Sequence, residues 1–156
     1  CIKALKTPES IFIMMSPSGK TYNQRMAYEL SNKKHLIILC GHYEGFDERI
    51  LSICDKVISI GDYVLTCGEL PSMILVDSIV RLLPGVIDAG SSLNESFNNH
   101  LLDYPTYTKP RVYEGMEVPD VLLSGNHKLI NEYRKNEQIR KTKEIRPDLL
   151  EDYDEI

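Results

Sequence analysis

The feature that most constrains this chain is a set of short apolar runs, each closed by glycine or small polar residues. Ile11–Met15 and Leu36–Cys40 are uninterrupted, and Lys56–Ile60 is nearly so. Runs of this length, apolar on every position rather than alternating, are the mark of strands covered on both faces. Helical periodicity lies between them. Tyr22, Met26, Ala27 and Leu30 predict a helix over Thr21–Asn32. A short helix is expected over Asp47–Cys54, with Asp47 as its cap. A third is expected from near Pro71 to Leu83, with Met73, Val76, Val80 and Leu83 as its apolar face. Tyr63–Thr66 reads as a fourth short strand. Strands alternating with helices predict an α/β fold with a mostly parallel sheet.

Ligands of such sheets bind beyond the carboxyl ends of the strands. Three loops leave strand ends here, Ser16–Gly19, Gly41–Gly45 and Gly61–Gly68. All are rich in small residues, which lets backbone groups approach a ligand closely. The first is read as a turn, Ser16-Pro17-Ser18-Gly19, before the helix. Ser18-Gly19-Lys20-Thr21 has the outline of a phosphate-binding loop. However, Met14 stands where such a loop needs its first glycine. His35, His42, His100 and His127 lack metal-ligand spacing, so no metal is expected.

Beyond Gly85 the character changes. Residues 88–100 are small and polar and read as a linker, and Leu101–Pro119 reads as extended or irregular. A helix is expected from Asn126 toward Lys143, with a last helical piece after Arg146-Pro147. The 156 residues carry a net charge of −5, yet Lys128–Arg146 holds seven Lys/Arg against three acids. A basic stripe on an acidic body fits a local polyanion contact, or a solvated helix face with its own ion pairs. Cys1, Cys40, Cys54 and Cys67 form no metal or redox spacing and read as free thiols. No apolar run approaches the roughly 20 residues that span a bilayer.

The ordered blocks Cys40-Gly41-x-Tyr43-Glu44-Gly45-x-Asp47-Glu48-Arg49, Ser59-Ile60-Gly61-Asp62-Tyr63-Val64-Leu65 and Gly68-Glu69-Leu70-Pro71 carry a resemblance. So do Pro84-Gly85-Val86, Glu114-Gly115-Met116-x-Val118-Pro119 and Val121-Leu122-Leu123-Ser124-Gly125-Asn126-His127. With them the chain resembles the bacterial tRNA (guanine-N1)-methyltransferases, the TrmD family, from about residue 11 onward. The resemblance implies a trefoil-knotted SPOUT methyltransferase domain over residues 1–87, with its N-terminal part missing. It also implies an 88–100 linker and a small, mainly helical, incomplete tRNA-binding domain over 101–156.

It further implies S-adenosylmethionine as methyl donor, guanine 37 of tRNA as acceptor, a cytoplasmic homodimer with shared active sites, and no membrane. The implied cofactor contacts are Met14, Met15, Ser16, Pro17, Gly41, Tyr43, Glu44, Gly45, Ile60, Tyr63, Leu65, Cys67, Gly68 and Pro71. Glu95 falls at the catalytic carboxylate and Arg81 at the catalytic arginine. Lys128, Arg134, Lys135 and Arg140 are the expected tRNA contacts. Three positions depart from the family pattern: Glu95 replaces a common Asp, His42 a frequent Arg, and Cys67 a frequent Gly. A non-catalytic nucleotide- or RNA-binding module on the same scaffold is the alternative.

Overall fold

The computed structural model describes residues 2–42, 45–87, 95–97 and 99–151. The chain divides into two compact units, residues 1–89 and 90–156. The break falls inside the segment read as a linker.

The first unit opens with α1 (Ile2–Leu5), β1 (Ser10–Thr21), α2 (Gln24–Ser31) and β2 (His35–Leu39). A 3-10 helix (Glu48–Ile53), β3 (Lys56–Ser59) and α3 (Glu69–Val80) follow. β1 is the middle of a three-stranded sheet, ordered β2-β1-β3, and both pairings are parallel. Ile11 pairs with Leu36, Ile13 with Ile38, and Met15 with Ile58. These six residues therefore share one face of the pleat. On that face Ile13, Met15 and Ile58 join Met26 and Leu30 of α2 and Leu75 and Ile79 of α3 in one buried core. Asn23 caps α2 by accepting the Met26 N–H at 3.0 Å.

Four expectations need correction. The first concerns Ser16-Pro17-Ser18-Gly19, which does not lead into a helix. Ile58 pairs with both Met15 and Lys20, so the four residues step out of register and the chain returns to β3. Gly19 permits the return, because a Cβ there would sit 2.6 Å from the backbone of Val57 and Ile58. The helix begins only at Gln24, so Lys20 and Thr21 lie in a strand and no phosphate-loop geometry exists. Second, Tyr63–Thr66 is not a strand; the nearest ladder is a single antiparallel bridge between His42 and Cys67.

Third, β2 is half-buried along its whole length rather than enclosed, because it is the edge of a three-stranded sheet. Fourth, α3 buries Pro71, Ser72, Leu75 and Ile79. The face expected to be inside is exposed: Met73 is 65% accessible, Val76 47%, Val80 41% and Leu83 39%. α3 is apolar almost all round, so periodicity could not choose its inner face.

The second unit contains a hairpin of β4 (Val112–Tyr113) and β5 (Met116–Glu117), then α4 (Asp120–Leu123), α5 (His127–Ile145) and α6 (Asp148–Glu151). The hairpin lies within the stretch read as irregular. Its two turn residues, Glu114 and Gly115, both have positive φ, the conformation of the tightest hairpin turns. Asn126 caps α5 by accepting the Leu129 N–H, so the helix starts one residue later than expected. No helix among the described residues is long and apolar enough to cross a membrane.

Candidate functional site

The carboxyl ends of β1, β2 and β3 open onto one cavity of about 560 Å³. Of the fourteen cofactor contacts implied by the resemblance, Tyr43 and Glu44 lie outside the described residues. The other twelve all line this cavity. Met14, Met15, Ser16 and Pro17 reach it from β1, and Gly41 and Gly45 from the loop after β2. Ile60, Tyr63, Leu65, Cys67, Gly68 and Pro71 reach it from the segment between β3 and α3.

The walls also include residues outside the implied contacts, among them Phe46, Leu51, Ser59 and Val64. Each lies inside a motif block or within two residues of one, and that adjacency is the signal that would have found it. Asp47 contributes through its cap: its carboxylate accepts the Arg49 N–H at 2.9 Å and holds the 3-10 helix against the cavity. The Arg49 guanidinium beside it pulls the Asp47 carboxyl below the usual range.

Two of the three loops are stitched together. The Gly68 N–H donates to the Gly41 carbonyl at 2.8 Å. A Cβ at Gly68 would stand 2.6 Å from the Gly41 nitrogen, so only glycine allows this approach. His42 and Cys67 form the backbone bridge beside it, and the His42 imidazole pairs with the Glu69 carboxylate. Glu69 is thereby held below the ordinary carboxylate range. The Cys67 thiol is the largest cause, followed by the backbone N–H of Glu69 itself and then by His42. The unusual His42 and Cys67 are thus partners of one another through Glu69. Ser59 shapes the β3 end, with its hydroxyl donating to the Gly61 carbonyl at 2.9 Å.

Arg81 sits at the C-terminal cap of α3, where a cation is favoured by the helix dipole. It borders a second, more open hollow of about 830 Å³ with Met73, Val76, Val80 and Ile87. Glu95 belongs to the second unit and is half-buried. The expected tRNA contacts divide. Lys128 and Lys135 are exposed on α5. Arg134 stacks on the Tyr104 ring at 4.7 Å. Arg140 is held by Glu137 at 2.8 Å and Glu144 at 3.1 Å, the intrahelical pairing that the charge pattern also allowed.

The sequence matches the profile of the tRNA (Guanine-1)-methyltransferase TrmD family over residues 1–152. The chain belongs to this family. It is 55% identical over 152 residues to a tRNA (guanine-N(1)-)-methyltransferase of Malacoplasma penetrans, covering 97% of this chain and 67% of that protein. The same name is carried by a relative in Ureaplasma urealyticum, 56% identical over 153 residues, covering 97% and 67%. A third, in Dictyoglomus turgidum, is 56% identical over 151 residues, covering 96% and 62%. The chain thus spans about two thirds of the length of these relatives. As a TrmD-family chain it is an enzyme sequence, and its reaction class is methyl transfer to N1 of guanine in tRNA.

Proposed function

We propose that the cavity at the strand ends binds S-adenosylmethionine, and that the methyl acceptor is guanine 37 of tRNA. The observation that carries this reading is the convergence of twelve family-implied residues on one cavity. The residues present suit the donor. The volume lies in the range of small-molecule sites, and the walls mix apolar surface with polar groups. Ile60, Leu65 and Pro71 offer apolar surface to an adenine ring.

When bound, the donor supplies an electrophilic methyl on a sulfonium sulfur. The rest of the chemistry belongs to the chain. Guanine N1 carries a proton and attacks poorly until that proton is removed. Glu95 takes the proton as guanine N1 attacks the methyl, whose C–S electron pair would leave with the donor. Arg81 steadies the charge that gathers on guanine O6. Lys128 and Lys135 hold tRNA phosphates. Arg140, whose charge is offset by Glu137 and Glu144, contributes less to this than the sequence alone suggests.

A second copy covers the bare face of α3, where Met73, Val76 and Val80 border the hollow that contains Arg81. Each site then draws on both subunits, in the cytoplasm where tRNA is found. The reading also includes the trefoil knot of the SPOUT class and a tRNA-binding role for the second unit.

The test is calorimetric titration with S-adenosylmethionine, with ATP as control, on wild type and Glu95→Gln, followed by a tRNA methylation assay. Binding of S-adenosylmethionine alone, retained in Glu95→Gln while methylation is lost, is the expected result. Preference for ATP would overturn the cofactor assignment, and full methylation by Glu95→Gln would remove Glu95 from the base role.

A further inference from the structure

Thr142 is an unusual residue for the interior of a long helix. It is 0% accessible, yet it lies in the last turn of α5, which buries only one other side chain, Ile130. Its hydroxyl donates to the Gln138 carbonyl at 2.7 Å, one turn back. Its oxygen accepts the backbone N–H of Leu102 at 2.8 Å. A mid-helix threonine bonded to its own helix tends to weaken that helix slightly. What it gains here is an anchor for a foreign segment.

That segment carries Glu95. Leu101 is buried beside the anchor at 2% accessibility. The Phe97 N–H donates to the Leu101 carbonyl at 2.8 Å, and the Asp103 N–H donates to the Ser96 hydroxyl at 2.9 Å. Phe97 and His100 both take left-handed backbone, with φ of 74° and 56°. Non-glycine residues hold that conformation only where their surroundings impose it. α5 supplies the imposition at further points. Lys141 donates to the Asp103 carbonyl at 3.2 Å, and the Arg146 guanidinium lies 6.0 Å from the Phe97 ring centre. The path from Thr142 to Glu95 is therefore short: one hydrogen bond from the Leu102 amide, then a turn closed on itself at Ser96 and Phe97.

We propose that Thr142 is a positioning residue for the methyl-transfer reaction, holding through Leu102 the turn that aims the Glu95 carboxylate at guanine N1. The proposal rests on Glu95 being the base. Valine matches threonine in shape but accepts nothing, so Thr142→Val leaves the half-buried Leu102 N–H without this partner and releases the turn. A displacement of about 1 Å at a reacting group costs on the order of 100-fold in rate.

The experiment is single-turnover methylation of tRNA at saturating donor, made in the complete gene product. Thr142→Val, Thr142→Ser, Glu95→Gln and the double variant are compared. Thr142→Val is expected to lose about 10- to 100-fold in the transfer rate. The KM for tRNA should stay within about twofold, and Thr142→Ser should restore the rate. In the Glu95→Gln background Thr142→Val should add no further loss. Phe97→Leu, at a site exposed enough to spare the fold, should lower the rate in the same direction, and it decides the matter if Thr142→Val folds poorly.

A wild-type rate in Thr142→Val, with Glu95→Gln inactive, overturns the positioning role alone. An equal further loss in the Glu95→Gln background overturns it too, because Thr142 then acts through another group. A loss confined to KM assigns Thr142 to tRNA binding instead. Full activity in Glu95→Gln removes the base itself, and that result is distinguishable from the other three.

Discussion

α3 and α5 both lack an amphipathic pattern, and for opposite reasons. α3 is apolar nearly all round, while α5 is charged or polar at most positions. An apolar helix buries one face in its own unit and leaves another in water, as Met73, Val76 and Val80 show. A polar helix has no such surplus, and α5 satisfies many of its charges locally. Arg140 binds Glu137 and Glu144, Arg134 lies on Tyr104, and Lys141 reaches the Asp103 carbonyl. The difference teaches where to look for partners. Uncovered apolar surface calls for another protein surface, whereas a count of basic residues overstates what is left for nucleic acid.

The largest effect should come from breaking the α3 side of this contrast. Val76→Glu places a carboxylate in the centre of the exposed face. It should raise the dimer dissociation constant by about 30-fold or more, as loss of a central interface residue does. Sedimentation velocity over a concentration series reads the result. A chain that is monomeric in wild type, or a variant that dimerises unchanged, would assign this face to something other than a second copy.

The α5 side is sharpened by setting Lys128 against Arg140. Lys128→Glu should weaken tRNA binding and lower the slope of log affinity against log salt by about one. Arg140→Gln should change affinity by about twofold or less, because its charge is already offset by two carboxylates. Filter binding from low to moderate salt separates them. Equal slopes for the two variants would mean that RNA displaces the Glu137 pairing.

The same contrast explains what could be read in advance. The three strands, their order of appearance and the helix cap at Asp47 were legible, because each depends on a few neighbouring residues. The cavity was legible too, since its walls are the loops at the strand ends and those loops carry the motifs. The inner face of α3 was not, because an apolar helix has no period to read. The detour of residues 16–19 was hidden because it depends on Gly19 meeting the β3 backbone, a contact about forty residues away in sequence. Which lysines and arginines of α5 remain exposed to solvent was also hidden. Tyr104 and Asp103 lie more than twenty residues before the helix, and nothing in the stripe itself points to them.

A smaller effect concerns the stitched loops. Glu69 is held below the ordinary carboxylate range in the folded state. Its contribution is therefore complete above the unfolded value of about 4.3 and is lost as pH falls through the lower folded value. Affinity for S-adenosylmethionine should be insensitive to this group from pH 8 to about 5 and should drop below about 4. Glu69→Gln should shorten that acid limb without removing it, because Asp47 on the same cavity is also depressed by Arg49. An acid limb unchanged in Glu69→Gln would show that the His42–Glu69–Cys67 tie does not shape the cavity.

The smallest effect lies on the buried side of α3. The Ser78 hydroxyl lies 2.6 Å from the Ile74 carbonyl and 3.1 Å from that of Leu75, so its single proton is committed to its own helix. The Tyr22 hydroxyl, 2.7 Å away, must then be the donor to Ser78, and an ionised Tyr22 could not make this bond. Burial pushes the Tyr22 phenol above its ordinary value. The folded pKa exceeds the unfolded one, so the stabilisation is whole below about pH 10 and is lost as pH rises through the folded value. Tyr22→Phe should cost about 1 kcal/mol at neutral pH, the net worth of one neutral hydrogen bond. Wild type should lose stability between about pH 9.5 and 11 more steeply than the variant does. Urea midpoints measured at pH 7 and pH 10.5 decide it. Parallel pH dependence in the two proteins would mean that Tyr22 ionises as freely in the fold as out of it, and that the contact between the residues before α2 and the inner face of α3 is looser than the bond length indicates.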